Sequence, residues 1–103
     1  MKTYNHPALS KVSLAEVMHA LSDPCRSKIV DTLIEAEGRS LACNEFELNV
    51  GKATVSHHFE VLRCAGLIET KVEGTKCLNS LRAEEFEERF PNFLNLLVSE
   101  SKR

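Results

Sequence analysis

The feature that most restricts the fold is a change of hydrophobic period at Gly66. Before it, Val55, Phe59 and Leu62 fall on one narrow face of a helix, and Gly66 closes the same face. His58 and Ala65 flank that face, which must point into a core. After Gly66 the chain reads as two short strand-like runs, Leu67–Val72 and Thr75–Leu81, with Glu73-Gly74 as the tip between them. A helix that ends at a glycine and runs straight into a hairpin admits few packings. The hairpin has to lie against the helix that precedes it.

The segments upstream supply the partners. Ser13 and Glu16 have capping-box spacing, and Leu14, Val17, Met18 and Leu21 make one apolar stripe behind them. Asp23-Pro24 reads as N-cap and first helical residue of a second helix, which carries Ile29, Val30, Leu33 and Ile34 and ends at Glu37-Gly38. Arg39–Leu41 suits a short extended piece. Asn44–Leu48 is expected to be a brief third helix, stopped by Asn49 in the left-handed conformation. Lys52–Ala65 is the fourth. From Ala83 the pattern is helical again, with Pro91 dividing it. The expected fold is mainly α with a small β-hairpin, in the order helix-helix-helix-helix-hairpin-helix. Its 103 residues form a single domain, 1–103.

Composition excludes several classes. The chain is 43% hydrophobic and 27% charged, outside the regime of disorder. Its formal charge of −2 excludes an all-over basic coat, yet residues 52–76 carry four basic groups against three acidic ones. Met1–Val12 lacks the apolar run of a signal peptide, and no stretch has the length of a membrane span, so a cytoplasmic setting is expected. Cys25, Cys43, Cys64 and Cys77 form no C-x-C or C-x-x-C pair, which favours reduced thiols over a disulfide framework. No phosphate loop, nucleophile motif or metalloprotease pair is present, so an enzyme is not expected. Glu84, Glu85, Glu87 and Glu88 suit the solvated start of a helix.

Function concentrates on the two segments around Asn49-Val50-Gly51, which have helix-turn-helix spacing over about residues 42–65. The outer face of the second segment presents Ala53, Ser56, His57, Glu60 and Cys64, with Lys52 and Thr54 at its start. Small, polar and imidazole side chains there let a backbone approach a major groove and offer donors to base edges and phosphates. Arg63, Lys71, Thr75 and Lys76 extend the candidate contact set onto the hairpin, a wing over about 67–81. An amphipathic surface helix would show the same period without any of this chemistry. A protein-interaction module would show large apolar residues on the outer face of Lys52–His57, and none occurs.

The string Thr54-Val55-Ser56-His57-His58-Phe59-Glu60-Val61-Leu62-Arg63-Cys64-Ala65-Gly66-Leu67-Ile68 resembles the signature of the ArsR/SmtB winged-helix repressors, T-V-S-H-H-L-x-x-L-R-x-A-G-L-[IV]. Ala20-Leu21-Ser22-Asp23-Pro24-Cys25-Arg26-Ser27-Lys28-Ile29 is similar to the family's A-L-[AS]-D-P-x-R-x-x-I, and Glu73-Gly74-Thr75 to its wing tip. The resemblance implies a homodimeric, cytoplasmic transcriptional regulator, usually a repressor released from a DNA operator by a chemical signal. It places Lys52, Ala53, Thr54, Ser56 and His57 on the recognition helix. Two departures stand out: Gly51 replaces the usual Ser N-cap, and the stretch Leu41–Lys52 is about two residues shorter than usual.

The cysteines and the last helix bear on what such a regulator would sense. Metal-sensing members use a C-x-C in the third helix or His and acidic ligands on the last; here only Cys43 matches, Leu41 occupies the other position, and Ala83–Ser99 holds neither His nor Cys. No metal site or cofactor is therefore assigned. Thiol chemistry at Cys25, Cys43 or Cys64 is a second option, with Cys25 favoured as thiolate by a helix N-terminus and Arg26, and an unidentified small ligand or no ligand is the third. Cys77 is expected to be a small buried apolar residue. Of the histidines, His57 is expected to face DNA, His58 to be hydrogen-bonded at the core edge, and His6 and His19 to be surface or interface groups. Val12, Leu14, Val17 and Met18 at one end, with Phe90, Phe93, Leu94 and Leu97 at the other, exceed what so small a core needs. Helices over about 13–22 and 83–99 are therefore expected to pair across a two-fold axis.

Overall fold

A computed structural model describes residues 4–101. Lys2 and the other ends of the 1–103 domain, residues 1–3 and 102–103, lie outside the described residues. The order is α1 (Leu14–Leu21), α2 (Pro24–Glu35), β1 (Leu41–Ala42), α3 (Lys52–Cys64), β2 (Ile68–Glu73), β3 (Lys76–Leu81), α4 (Ala83–Arg89) and α5 (Phe93–Ser101). Single 3-10 turns occupy Leu9–Lys11 and Cys43–Glu45. This is a winged helix-turn-helix.

The local signals act as their chemistry requires. Ser13 Oγ accepts from Glu16 N at 3.1 Å and the Glu16 carboxylate accepts from Ser13 N at 3.0 Å, a complete capping box. Asp23 Oδ1 accepts from Cys25 N and Arg26 N at 2.8 and 3.2 Å, with Pro24 at the first helical position. Gly66 ends α3 with φ +74°, while Gly66 N donates to Arg63 O and Leu67 N to Leu62 O. That pair of bonds is a Schellman closure. A Cβ at Gly66 would lie 2.9 Å from Leu9 Cδ1 and 3.3 Å from Val12 Cγ2, so the N-terminal turn packs directly on the glycine. Pro91 separates α4 from α5, with Asn92 left-handed between them.

The core is drawn mainly from α1, α2, α3, β1, β2 and α4, with Leu81 of β3 and Phe93, Leu94 and Leu97 of α5 half-buried against it. Val17 and Ala20 of α1, Ile29, Val30 and Leu33 of α2, Phe59 and Leu62 of α3, Leu67, Ile68 and Phe86 are buried together. Phe86, Phe90 and Phe93 stack with centroids 5.1 and 5.7 Å from Phe86 and join α4 to α5.

Five expectations need correction. Asn44–Leu48 is not a helix: only the turn Cys43–Glu45 forms, and Phe46 is already extended at φ −95°, ψ 127°. A five-residue segment gains too few bonds to repay helix nucleation. Its apolar residue is used instead as an anchor, Phe46 meeting the Phe59 ring edge-on at 5.3 Å. Asn49 is not left-handed; among the described non-glycine residues only Glu37 and Asn92 have positive φ.

The wing is also more than a hairpin. β1 pairs antiparallel with β3 (Leu41↔Asn79, Ala42↔Leu78), giving a three-stranded sheet in the order β1-β3-β2. The turn of the wing is centred on Gly74-Thr75, one residue later than expected. Finally, Val12, Val17 and Phe90 belong to the core of the single chain and Phe93, Leu94 and Leu97 are half-buried against it. Among the described residues the exposed large apolar side chains are Leu14 (46% exposed), Met18 (55%) and Leu96 (59%), on α1 and α5, and Val50 (42%) just before α3.

Candidate nucleic-acid interface

Helix α3 is fixed by one face and offers the other. Phe59 and Leu62 anchor it, and His58 is buried beside them. Lys52, Ala53, Thr54, Ser56 and His57 are all exposed along its first turns, followed by Glu60 and Cys64 on the same outward side. Gly51 precedes them without a side-chain cap, leaving the first amides of α3 open to a ligand. His57 and His58, adjacent in sequence, serve opposite sides of the helix.

His58 locks the helix to its neighbours. Arg26, itself buried, donates from Nη1 to His58 Nδ1 at 3.1 Å and from Nε to Ala20 O at 2.7 Å. Because arginine only donates, Nδ1 is the acceptor and the imidazole proton sits on Nε2, 3.9 Å from Asp23 Oδ1. The two amide bonds from Arg26 and Cys25, together with this neighbourhood, hold the Asp23 carboxyl below the usual carboxylate range. Asp23, Cys25 and His58 bring three donor atoms within 4.8 Å of one another. The tautomer imposed by Arg26 occupies the nitrogen a cation would need, so the donor set does not suit a metal.

Lys71, Thr75 and Lys76 are exposed on the wing. Lys71 Nζ lies 3.2 Å from Glu69, an exposed pair worth less than about 1 kcal/mol. Arg63 is placed differently from the other expected contacts. It is half-buried, stacked 4.3 Å over the Tyr4 ring, and donates to Thr70 Oγ1 at 3.2 Å. Thr70 Oγ1 donates in turn to Asn79 Oδ1 at 2.7 Å, and Asn79 Nδ2 donates to Leu41 O at 3.3 Å. This polar chain runs from α3 across the wing to β1, beside a cavity of about 820 Å³ lined by Tyr4, Cys43, Phe46, Arg63, Cys77 and Asn79 among others.

Periodicity does not single out Tyr4, Thr70 or Asn79. Thr70 and Asn79 face each other in the β2–β3 register, and Asn79 is wholly buried within an otherwise apolar strand pattern. A polar residue at a core-facing strand position was the available signal. His6 likewise is not a surface group: it is half-buried and its Nε2 accepts from Thr70 N at 3.0 Å. Burial pushes its pKa down.

The cysteines divide unexpectedly. Cys64 and Cys43 are exposed; Cys25 and Cys77 are half-buried. Cys25 is not poised as a thiolate, because burial and then the Asp23 charge raise its thiol above the usual range, outweighing Lys28 and Arg26. Cys77 is not a plain apolar filler. Its Sγ lies 3.3 Å from Tyr4 Oη, a contact that raises the tyrosine.

Two helices packed behind α3, a short turn, the exposed face of α3 and a hairpin bearing Lys71 and Lys76 define a winged-helix protein of the DNA-binding class. Residues 23–70 match the model of the bacterial regulatory proteins of the arsR family, and the chain belongs to that family. It is 39% identical over 85 residues to the HTH-type transcriptional regulator YceK of Bacillus subtilis, covering 81% of this chain and 84% of that one. Its fold matches an ArsR-like transcriptional regulator from Rhodococcus sp. RHA1 at TM-score 0.61 and 22% identity, covering 87% and 84% of the two chains. The transcriptional repressor BigR of Xylella fastidiosa matches at TM-score 0.59 and 26% identity, covering 80% and 84%. Members of the family are DNA-binding transcriptional regulators rather than enzymes. No helix among the described residues is long and apolar enough to cross a membrane.

Proposed function

We propose that the chain is a cytoplasmic, homodimeric repressor that reads a palindromic DNA operator and is released by a chemical signal. The observation that carries this reading is the face of α3. Lys52, Ala53, Thr54, Ser56 and His57 are all exposed, small or polar, on a helix whose opposite face is locked by His58, Phe59 and Leu62. A groove-reading helix needs both properties, since rigid backing sets where the base-reading groups stand. Ser56 and His57 are the base-edge donors, Lys52 and Thr54 meet the phosphate at the helix start, and Ala53 lets the backbone approach. Lys71, Thr75 and Lys76 lie along the flanking phosphates. Arg63 holds helix and wing in register through Tyr4 and Thr70.

Leu14, Met18 and Leu96 supply the two-fold contact, so that residues 13–22 and 83–99 pair between copies and two α3 helices stand about one duplex turn apart. The helix-turn-helix region spans about 42–65, with the single turn Cys43–Glu45 standing where its first helix was expected, and the wing about 67–81, in one domain over 1–103. A protein-interaction module is disfavoured because the outward face of α3 lacks a large apolar residue. Footprinting of purified protein on the DNA flanking its own gene tests the whole reading. Two protected half-sites related by symmetry, one turn apart, are expected. A single unsymmetric footprint, or none, contradicts it.

A further inference from the structure

We propose that Cys43 and Cys77 form a redox-modification site, a dithiol that a hydroperoxide closes to an intrachain disulfide in the cavity beside α3. The proposal deepens the reading of a repressor released by a chemical signal, and rests on that reading only for its effect on DNA.

The placement comes from strand register. β1 pairs with β3 as Leu41↔Asn79 and Ala42↔Leu78, where the ladder ends; Cys43 follows directly as the first residue of the 3-10 turn, at the end of β1 that lies beside Leu78 and its neighbour Cys77. Neighbouring strands lie about 4.7–4.9 Å apart and a disulfide spans Cα separations of about 4.4–6.8 Å, so a residue at the end of β1 is within bridging reach of β3. Both thiols turn to one side. Cys77 shares a strand face with Asn79, two residues on, and Asn79 Nδ2 lies 3.5 Å from Cys43 Sγ. The two cysteines line the same cavity, with Tyr4 Oη 3.3 Å from Cys77 Sγ. By contrast, Cys25 sits in the first turn of α2 and Cys64 at the outer end of α3.

Accessibility orders the chemistry. Cys43 is exposed and Cys77 half-buried, so the peroxide meets Cys43 first. Its thiolate attacks the O–O bond; an S–O bond forms, the O–O bond breaks, and the leaving alkoxide takes a proton to become an alcohol. The resulting Cys43 sulfenic acid is attacked by the Cys77 sulfur, an S–S bond forms, and the hydroxyl leaves as water. Two electrons pass from the two thiols to the peroxide.

The bond acts on both supports of Arg63. Cys77 Sγ is the partner of Tyr4 Oη, and the Tyr4 ring carries Arg63. Cys43 Sγ is a partner of Asn79, which holds the Thr70 hydroxyl that Arg63 bonds. Closing the disulfide withdraws both sulfurs from these contacts and frees the C-terminal end of α3 relative to the wing. The oxidised protein is expected to bind its operator on the order of tenfold more weakly.

The test uses the full chain, treated with tert-butyl hydroperoxide, alkylated, digested without reductant and mapped by mass spectrometry. A Cys43–Cys77 crosslink within one chain is expected, consuming two of the four thiols. It should persist in the Cys25→Ser/Cys64→Ser double variant and vanish in Cys43→Ser and in Cys77→Ser, whose far-ultraviolet circular dichroism reports folding. Any other dominant pairing, a crosslink between chains, or sulfenic acid without a disulfide overturns the site. Disulfide formation with unchanged affinity for the footprinted DNA overturns the control of binding. A reduced chain that binds no DNA refutes the repressor reading while leaving the crosslink map intact.

Discussion

Arg26 Nη1 stands 3.1 Å from His58 Nδ1, joining the first turn of α2 to the buried side of the helix that faces outward with Ser56 and His57. The same guanidinium bonds the carbonyls of Ala20 at 2.7 Å and His19 at 3.4 Å, so one side chain ties the end of α1, the start of α2 and the middle of α3. The angle at which α3 is presented is therefore set by a buried, fully partnered cation rather than by apolar packing alone.

Removing that cation strands its partners. Arg26→Ala leaves the Ala20 carbonyl and His58 Nδ1 buried without a donor, and is expected to cost about 3 kcal/mol. Urea unfolding followed by circular dichroism measures it. Arg26→Lys should recover only part of the loss, because an ammonium cannot reproduce the forked geometry. Full recovery by lysine would show that charge matters and the fork does not.

Gly66→Ala is expected to destabilise by about 2 kcal/mol. A left-handed backbone disfavours any side chain, and the new Cβ would press on Leu9 and Val12. The loss should appear as a lower urea midpoint with an unchanged slope. A neutral effect would mean that the Leu9–Lys11 turn shifts away without consequence.

The wing lysines should differ from each other. Lys71 is paired with Glu69, whereas Lys76 has no ion-pair partner among the described residues. Lys76→Ala should lower the slope of log affinity against log salt by about 0.9, the release of one phosphate contact, and Lys71→Ala by less. Both should weaken binding uniformly across sequences. A change in sequence preference would show that the wing reads bases.

His6 gives the fold an acid-sensitive joint. Its pKa is lowered chiefly by burial, with Arg82 and Arg63 adding to the shift and Glu69 opposing it, and its neutral Nε2 accepts from Thr70 N. A histidine whose folded pKa lies below its unfolded value contributes stability above the unfolded value, near pH 6.5, and loses it as pH falls through the folded one. Thermal midpoints should drop on acidification in that window. His6→Gln, which keeps an acceptor without the titration, should flatten the drop; an unaltered profile would assign it to another group.

Much of this molecule is written locally. Ser13 with Glu16, Asp23 with Pro24, Gly66 and Pro91 each mark a boundary through a cap or a backbone restriction, and each boundary stands where its chemistry puts it. The outward face of α3 was legible for the same reason, since helical period alone separates Ser56 and His57 from Phe59 and Leu62. The segment around Phe46 was not. Its helical composition is overridden by a long-range demand, the packing of Phe46 on Phe59, which no window of neighbouring residues contains. The support of Arg63 was hidden likewise, because Tyr4, Thr70 and Asn79 meet only when the N-terminal segment crosses the wing. Position alone misleads for the cysteines: a helix start suggests reactivity at Cys25, but burial outweighs it there.

The most direct test of the central claim is the affinity of the Ser56→Ala/His57→Ala double variant for the footprinted operator, measured by fluorescence anisotropy beside the unaltered protein. Both side chains are exposed and carry nothing of the core, so the fold and thermal midpoint should be unchanged. Loss of base-edge contacts should weaken specific binding by at least about tenfold while leaving binding to unrelated DNA almost unaffected. Equal affinity of variant and unaltered protein for the operator would contradict the assignment of α3 to recognition.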